Sequence, residues 1–217
     1  MPRKFLLLLS LFLSLIFSGI LFGATVDEEL ERNTAIVFYS WEYTDILGET
    51  HEESTRGNGV FVSYTEVLTC AHLFYGKPPG EIYVHYFPKK GLRMVTKAVV
   101  TKFVVRWDIA LLEIELPITW EPLKLAEEAP AWGDTIYFSG KSSMDCPPIR
   151  KWYYSVNHRG IMVYPIYYGD SGGGVFNEKR EIIGIIYQII LVNKGGNRFP
   201  TFIGYGIPLR ILKEFLS

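Results

Sequence analysis

Cysteine is scarce in this sequence: its 217 residues include only Cys70 and Cys146. Two cysteines build neither a disulfide framework nor a structural zinc site. No G-x-G-x-x-G stretch follows a strand-like run and no P-loop pattern occurs, which removes dinucleotide and nucleoside-triphosphate chemistry. Net charge is also missing. The 22 Lys and Arg against 23 Asp and Glu leave a formal −1, so there is no basic footprint for nucleic acid. No internal repeat is visible. His51, His85 and His158 have no metal-ligand spacing to one another and read as surface or loop residues. Neither a metal nor a cofactor is expected.

What is present is apolar and aromatic. A hydrophobic content of 48% places the chain among folded proteins, with room for one core of the whole chain or two small ones. There is one long hydrophobic run. It spans 5–22 without a charge, follows Arg3 and Lys4, and ends before Asp27, Glu28 and Glu29. Residues 1–24 therefore read as a signal peptide or membrane anchor. A cut after Ala24 leaves bulky Phe22 at the third position back, and the run is only just long enough to span a bilayer. The residues leave cleavage and retention open. In both cases the remainder is exported, secreted or periplasmic if released, and any membrane contact runs through this segment alone. Without Arg3 and Lys4 the balance is 20 basic against 23 acidic residues, a formal −3.

The exported part reads as all-β. Alternating, β-branched or aromatic runs recur at 35–40, 59–63, 66–69, 82–87, 97–105, 109–115, 135–139, 160–164, 174–177 and 182–190, with turn signals between them. Many short strands at this spacing suggest antiparallel sandwiches or barrels. Only 208–216 has helical character. Pro208 suits a first turn, and Leu209, Leu212, Phe215 and Leu216 then share a face. The proline-containing, aperiodic stretch 117–131 reads as a linker between two halves.

Three motifs carry chemistry. Gly169–Asp170–Ser171–Gly172–Gly173 sets a serine between glycines, which allow a sharp turn and close approach of a substrate. Such a turn aims backbone N–H groups at one point, as an oxyanion requires; the bland alternative is a hairpin turn. Thr69–Cys70–Ala71–His72 places a histidine just past a strand, suited to a general base or to a merely exposed position. Trp107–Asp108–Ile109–Ala110–Leu111–Leu112 heads an apolar strand with one carboxylate, which needs a partner there.

In chain order the three give His72, Asp108 and Ser171. With these flanks they resemble the trypsin-like (chymotrypsin-fold) serine proteases, nearest to the bacterial HtrA/Deg-type protease domain without a PDZ domain. The stretches 57–62, 132–140 and 204–208 add to the resemblance, which covers 34–217. It implies two six-stranded antiparallel β-barrels, about 34–116 and 132–207, joined by the linker and closed by a C-terminal helix at 208–217. It implies a serine endopeptidase acting on polypeptides. His72 is then the base, Asp108 its orienter and Ser171 the nucleophile, with the N–H groups of Gly169 and Ser171 as oxyanion hole. A catalytically silent, peptide-binding relative is the alternative, and an anchored β-sandwich adhesin explains the strands but none of the motifs.

The resemblance also implies a substrate pocket. Pro165, six residues before Ser171, forms its base, and Ile186, Tyr187, Gln188, Ile189, Gly204 and Gly206 its walls. No charge is available for Lys or Arg. Cleavage after small to medium aliphatic residues is expected, with Gly204 leaving some depth. No free amine of the pancreatic-zymogen kind stands near Thr34, so Asp170 must find another partner. Cys70 reads as a small buried hydrophobe behind the site, with a Cys70–Cys146 bridge as the less favoured alternative. The aromatic clusters at 152–154 and 164–168 suit barrel filling or a peptide groove.

Overall fold

The computed structural model describes residues 26–89, 91–140, 149–194 and 197–217. Residues 1–24, with the hydrophobic run at 5–22, and residues 141–148, with Cys146, lie outside the described residues. Among the described residues no helix is long and apolar enough to cross a membrane.

The first half is a closed six-stranded antiparallel barrel. Its strands are β1 (Thr34–Thr44), β2 (Thr50–Phe61), β3 (Glu66–Thr69), β4 (Glu81–Lys89), β5 (Leu92–Val104) and β6 (Ile109–Ile114), paired in the order β1-β2-β3-β6-β5-β4. The apolar period places Val37, Tyr39, Val67, Val84, Leu112 and Ile114 inside. β1 and β2 continue past the barrel as a ribbon whose tip exposes Ile46 and Leu47. The expected strand at 59–63 is thus only the inner end of a longer β2.

The second half is an antiparallel sheet of seven strands: β7 (Thr135–Ser139), β8 (Ile149–Tyr153), β9 (Val156–Asn157), β10 (Gly160–Val163), β11 (Gly174–Phe176), β12 (Ile182–Lys194) and β13 (Asn197–Pro208). Their order is β8-β7-β11-β12-β13-β10-β9, and among the described residues this sheet remains an open half-barrel rather than a second closed six-stranded barrel. β8 and β9 were not legible as strands.

A core shared by both halves joins them. It includes Val60, Leu68 and Ile109 from the first and Phe176, Ile185 and Ile207 from the second. Two short helices dock on it. α1 (Val26–Arg32), not expected from the sequence, contributes Leu30, and α2 (Leu209–Leu216) contributes Leu212 and Phe215. Each such fully buried side chain stabilises the fold by about 1.5–3 kcal/mol. Pro208 is extended (φ −76°, ψ 154°) and precedes α2 rather than opening its first turn. The stretch 117–131 is packed as it crosses: Ile118 and Trp120 enter the first core, and Leu123 and Leu125 pack at the shared one.

Candidate functional site

β3 and β6 pair antiparallel, with Thr69 opposite Ala110, so the chain leaving β3 meets the chain entering β6. Past β3 the backbone makes a single 3-10 turn, Ala71–Leu73. Ala71 and Leu73 are buried in it, which turns His72 outward, its side chain 46% exposed. Before β6, Asp108 caps a second 3-10 turn, Val105–Trp107, in the left-handed region (φ 55°, ψ 41°), a costly conformation for a non-glycine residue.

The strained aspartate is clamped to the histidine. Asp108 Oδ2 is 2.6 Å from His72 Nδ1, Oδ1 accepts the His72 backbone N–H at 2.7 Å, and the Asp108 carbonyl accepts the Ala71 N–H at 3.2 Å. With Nδ1–H donating to the carboxylate, Nε2 carries the lone pair. Lys77 Nζ donates to the His72 carbonyl at 2.6 Å; burial lowers the pKa of Lys77 and the charge of Asp108 partly restores it.

Ser171 comes from the other half. Residues 167–170 form a turn closed by Asp170 N–H to the Tyr167 carbonyl at 3.1 Å, with Gly169 in its third position at φ 93°, the geometry of a type II turn. Gly172 follows at φ 85°. A Cβ there would lie 1.9 Å from the Asn58 carbonyl oxygen and 2.5 Å from Thr69 Oγ1, so glycine is needed for both conformation and space.

Asn58 stitches this turn to the first barrel. Its backbone N–H donates to the Ser171 carbonyl at 2.6 Å and its Nδ2 to the Gly169 carbonyl at 2.7 Å, while Thr69 Oγ1 holds the Asn58 carbonyl at 2.5 Å. Next to it, a Cβ on Gly57 would stand 2.7 Å from the Ser171 carbonyl and 2.8 Å from Leu73 Cδ1. Ser171 therefore lies against the turn that presents His72. Among the described residues no hydrogen bond joins Ser171 Oγ to His72, a looseness common in sites without substrate. The sequence contained Asn58 without marking it. Its signal was a polar residue between two glycines at the end of a β strand.

Cys70 is a free, fully buried thiol whose Sγ donates to the Ile186 carbonyl at 3.1 Å. Burial, and then the charge of Asp108, push its pKa well above the ordinary value, so it is not a ready thiolate. Its Sγ, His72 and Asp108 place ligand-type atoms within 4.8 Å of one another, but the imidazole and carboxylate are already bonded together. A second such group, Asp45, Glu49 and His51, sits on the β1–β2 ribbon, where Asp45 also binds the Leu47 and Glu49 backbone N–H groups and clasps the turn. His85 stacks on Phe38 and His158 is exposed.

At the positions expected to line a substrate pocket, β12 and β13 pair with Ile186 opposite Gly206 and Ile189 opposite Gly204. Tyr187, Ile189 and Pro165 are half-buried, Gln188 is exposed, and Tyr187 reaches the Arg159 carbonyl at 2.9 Å. The depth expected at Gly204 is taken up: a Cβ there would lie 1.7 Å from Ile166 Cδ1. Ile166, buried at 1%, fills that space itself and was missed because it read as one apolar residue in an aromatic run. Of the aromatic residues in these clusters, Tyr154 is core, while Tyr153 and Tyr168 are exposed.

The partner of Asp170 is Arg150 of β8, with Nη1 2.7 Å from Oδ2 and both side chains buried. Nothing in the sequence distinguished Arg150 from the other basic residues.

The sequence profile of the trypsin-like peptidase domain matches residues 57–185. The chain belongs to that family. Among curated proteins none matches. Among solved structures, the trypsin-like chain is similar to the HtrA-type protease AlgW with a decapeptide, at a TM-score of 0.66 and 19% identity. The likeness covers 85% of this chain and 62% of that one, so this chain spans under two thirds of its neighbour's length. At that identity the likeness concerns the fold. Both comparisons agree with a chymotrypsin-like arrangement of the two sheets, and what this trypsin-like domain does depends on its own site.

Proposed function

We propose that this protein is an exported serine endopeptidase. The observation that carries the proposal is the two-point clamp of Asp108 on His72, set against a serine turn that Asn58 ties to the same barrel. Ser171 Oγ attacks the scissile carbonyl while His72 Nε2 takes its proton. The N–H groups of Gly169 and Ser171 hold the oxyanion. The C–N bond breaks as His72 returns the proton to the leaving amine, leaving an acyl group on Ser171. Water, deprotonated by His72, then attacks the ester; the bond from the acyl carbon to Ser171 Oγ breaks as His72 returns the proton to Oγ, and the acid leaves. Asp108 keeps the imidazole in the required tautomer and stabilises its charged form without taking the proton.

The pocket bounded by Pro165, Ile186, Tyr187, Gln188, Ile189, Gly204 and Gly206 offers no carboxylate, and Ile166 occupies the room at Gly204. Cleavage follows small to medium aliphatic residues, Ala and Val ahead of Leu. A methylene more or less in such a pocket is worth about 1–3 kcal/mol, so the preference is graded. Residues 1–24 act as export signal or anchor, which sequencing of the N-terminus of the protein recovered outside the cytoplasm tests.

The alternative reading is a silent module that binds peptides in the same groove. Trapping with an activated ester separates the two. The first reading expects an acyl group on Ser171 by peptide mass mapping, and cleavage of a peptide library after Ala and Val. Peptide binding without acylation supports the second. Dominant cleavage after Lys, Arg or Glu overturns the pocket.

A further inference from the structure

His72 is held at three points, and the third is a lysine. Its N–H and Nδ1 are bonded to the Asp108 carboxylate at 2.7 and 2.6 Å. Its carbonyl belongs to a single 3-10 turn, too short to supply every acceptor with a backbone donor. The two amides that close the turn, those of Phe74 and Tyr75, both donate to the Ala71 carbonyl, at 3.0 and 2.8 Å. The His72 carbonyl takes its hydrogen bond from Lys77 Nζ, at 2.6 Å. A bond with a charged donor is roughly twice as strong as a neutral one. The His72 side chain is 46% exposed, so packing does little to hold the residue and these polar contacts do most of it.

The loop is shaped to return Lys77 to this point. Residues 74–77 form a turn closed by the Lys77 N–H on the Phe74 carbonyl at 3.2 Å, with Gly76 in its third position at φ 76°, the geometry of a type II turn. Tyr39 of β1, itself buried, braces both ends of that turn. Its ring meets the Phe74 ring edge-on, with centroids 5.5 Å apart, and its hydroxyl donates to the Pro78 carbonyl. Between these two fixed points Lys77 is half-buried. Burial lowers its pKa and the charge of Asp108 partly restores it, so the ammonium stands in the field of the carboxylate that clamps the ring. An ammonium drawn partly out of water needs such partners.

We infer that Lys77 is a positioning residue for His72: its ammonium fixes the carbonyl of the 3-10 turn, and with it the place from which Nε2 serves Ser171 Oγ and then the leaving amine. The inference rests on the peptidase reading. Asp108 sets the tautomer and the plane of the ring, and Lys77 keeps the main chain beneath the ring from turning away. Lys77 touches no reacting atom; it acts through the His72 carbonyl.

The test uses the full exported chain with Lys77→Met and Lys77→Arg. The proton NMR signal of His72 Nδ1–H, the hydrogen bonded to Asp108, is read beside kcat and KM. In Lys77→Met this signal should broaden as its exchange with water quickens. A misplacement of about 1 Å can cost about 10²-fold, and the two Asp108 bonds limit this one, so kcat should fall about tenfold with KM within about threefold. Lys77→Arg, which also ends in cationic N–H donors, should recover most of the signal and of kcat. If Lys77→Met fails to fold, Lys77→Gln, polar but neutral and one bond shorter, carries the same expectations. An unchanged signal, or kcat within about twofold of wild type in the neutral variant, overturns the inference. So does a loss that Arg does not relieve, or a wild-type protein without the signal. Wild-type protein that shows the signal but neither acylates nor cleaves breaks the peptidase reading, and the response of the signal to Lys77→Met still decides what Lys77 holds.

Discussion

The two halves of the molecule hold their parts of the site differently. In the first, β3 and β6 are neighbouring strands of a closed barrel, and His72 and Asp108 grow from paired ends of them. Backbone register alone brings His72 and Asp108 together, and the side-chain bonds refine it. In the second, Ser171 stands on a turn between β10 and β11 of an open sheet. That turn is held by Asn58 from across the seam and by the buried ion pair behind it. His72 is placed by topology and Ser171 by polar side chains, so the serine side is the one that small changes should disturb.

The largest break removes the chemistry and leaves both supports intact. Ser171→Ala should lower kcat by about 10⁵–10⁶ with the thermal midpoint unchanged, and His72→Ala by a similar factor. The double variant should lose no more than either single one, and additive losses in steady-state kinetics would separate the two roles. Asp108→Asn tests the barrel side. It keeps the shape and gives up the charge that stabilises the imidazolium, and should cost about 10⁴ in kcat.

Gly172→Ala sharpens the contrast from the serine side. With φ at 85° and the Asn58 carbonyl 1.9 Å from the new Cβ, the turn and its stitch cannot both survive. The loss should be at least ~2 kcal/mol, a fall of roughly 4–8 °C in melting temperature by calorimetry. A substitution to Ala at exposed Gly48, also at positive φ (83°) but with nothing within 4 Å, should cost less.

Smaller effects probe the regions behind the site. The Cys70 thiol is held protonated by burial and by the charge of Asp108. Iodoacetamide should leave it unmodified in the folded protein at mildly alkaline pH and modify it after denaturation, as read by mass spectrometry. The smallest effect belongs to His85, whose pKa is lowered by burial and then by the charge of Arg93. The folded state prefers the neutral ring and the unfolded chain binds the proton more readily. Its share of stability is therefore present at neutral pH and lost as pH falls from ~6.5, the ordinary histidine value, towards the lower folded one. His85→Phe should shrink the drop in melting temperature between pH 7 and pH 5.

Legibility in the sequence divides along the same line. Strands with one face in a core showed their period, and the regions at 66–69 and 135–139 appear with those bounds as β3 and β7. The outer part of β2 was invisible because Thr50–Arg56 lies in a ribbon beyond the barrel, where nothing sorts the residues into inside and outside. β8 was hidden because its buried positions include Arg150, which counts as polar in any hydrophobic pattern. α1 is a seven-residue helix rich in acid, with Leu30 as its buried anchor. At the site, His72, Asp108 and Ser171 announced themselves through their flanks. Asn58, Arg150 and Ile166 did not, because their partners are carbonyls, a carboxylate and a glycine brought near only by the fold.

The measurement closest to the central claim is covalent labelling by a fluorophosphonate, which needs an activated serine and an oxyanion site in the same molecule. The wild-type chain should take up one equivalent on Ser171, mapped by peptide mass. His72→Ala should abolish the uptake. A wild-type protein that stays unlabelled from neutral to mildly alkaline pH, or labels equally well without His72, would contradict the assignment of this site to peptide hydrolysis.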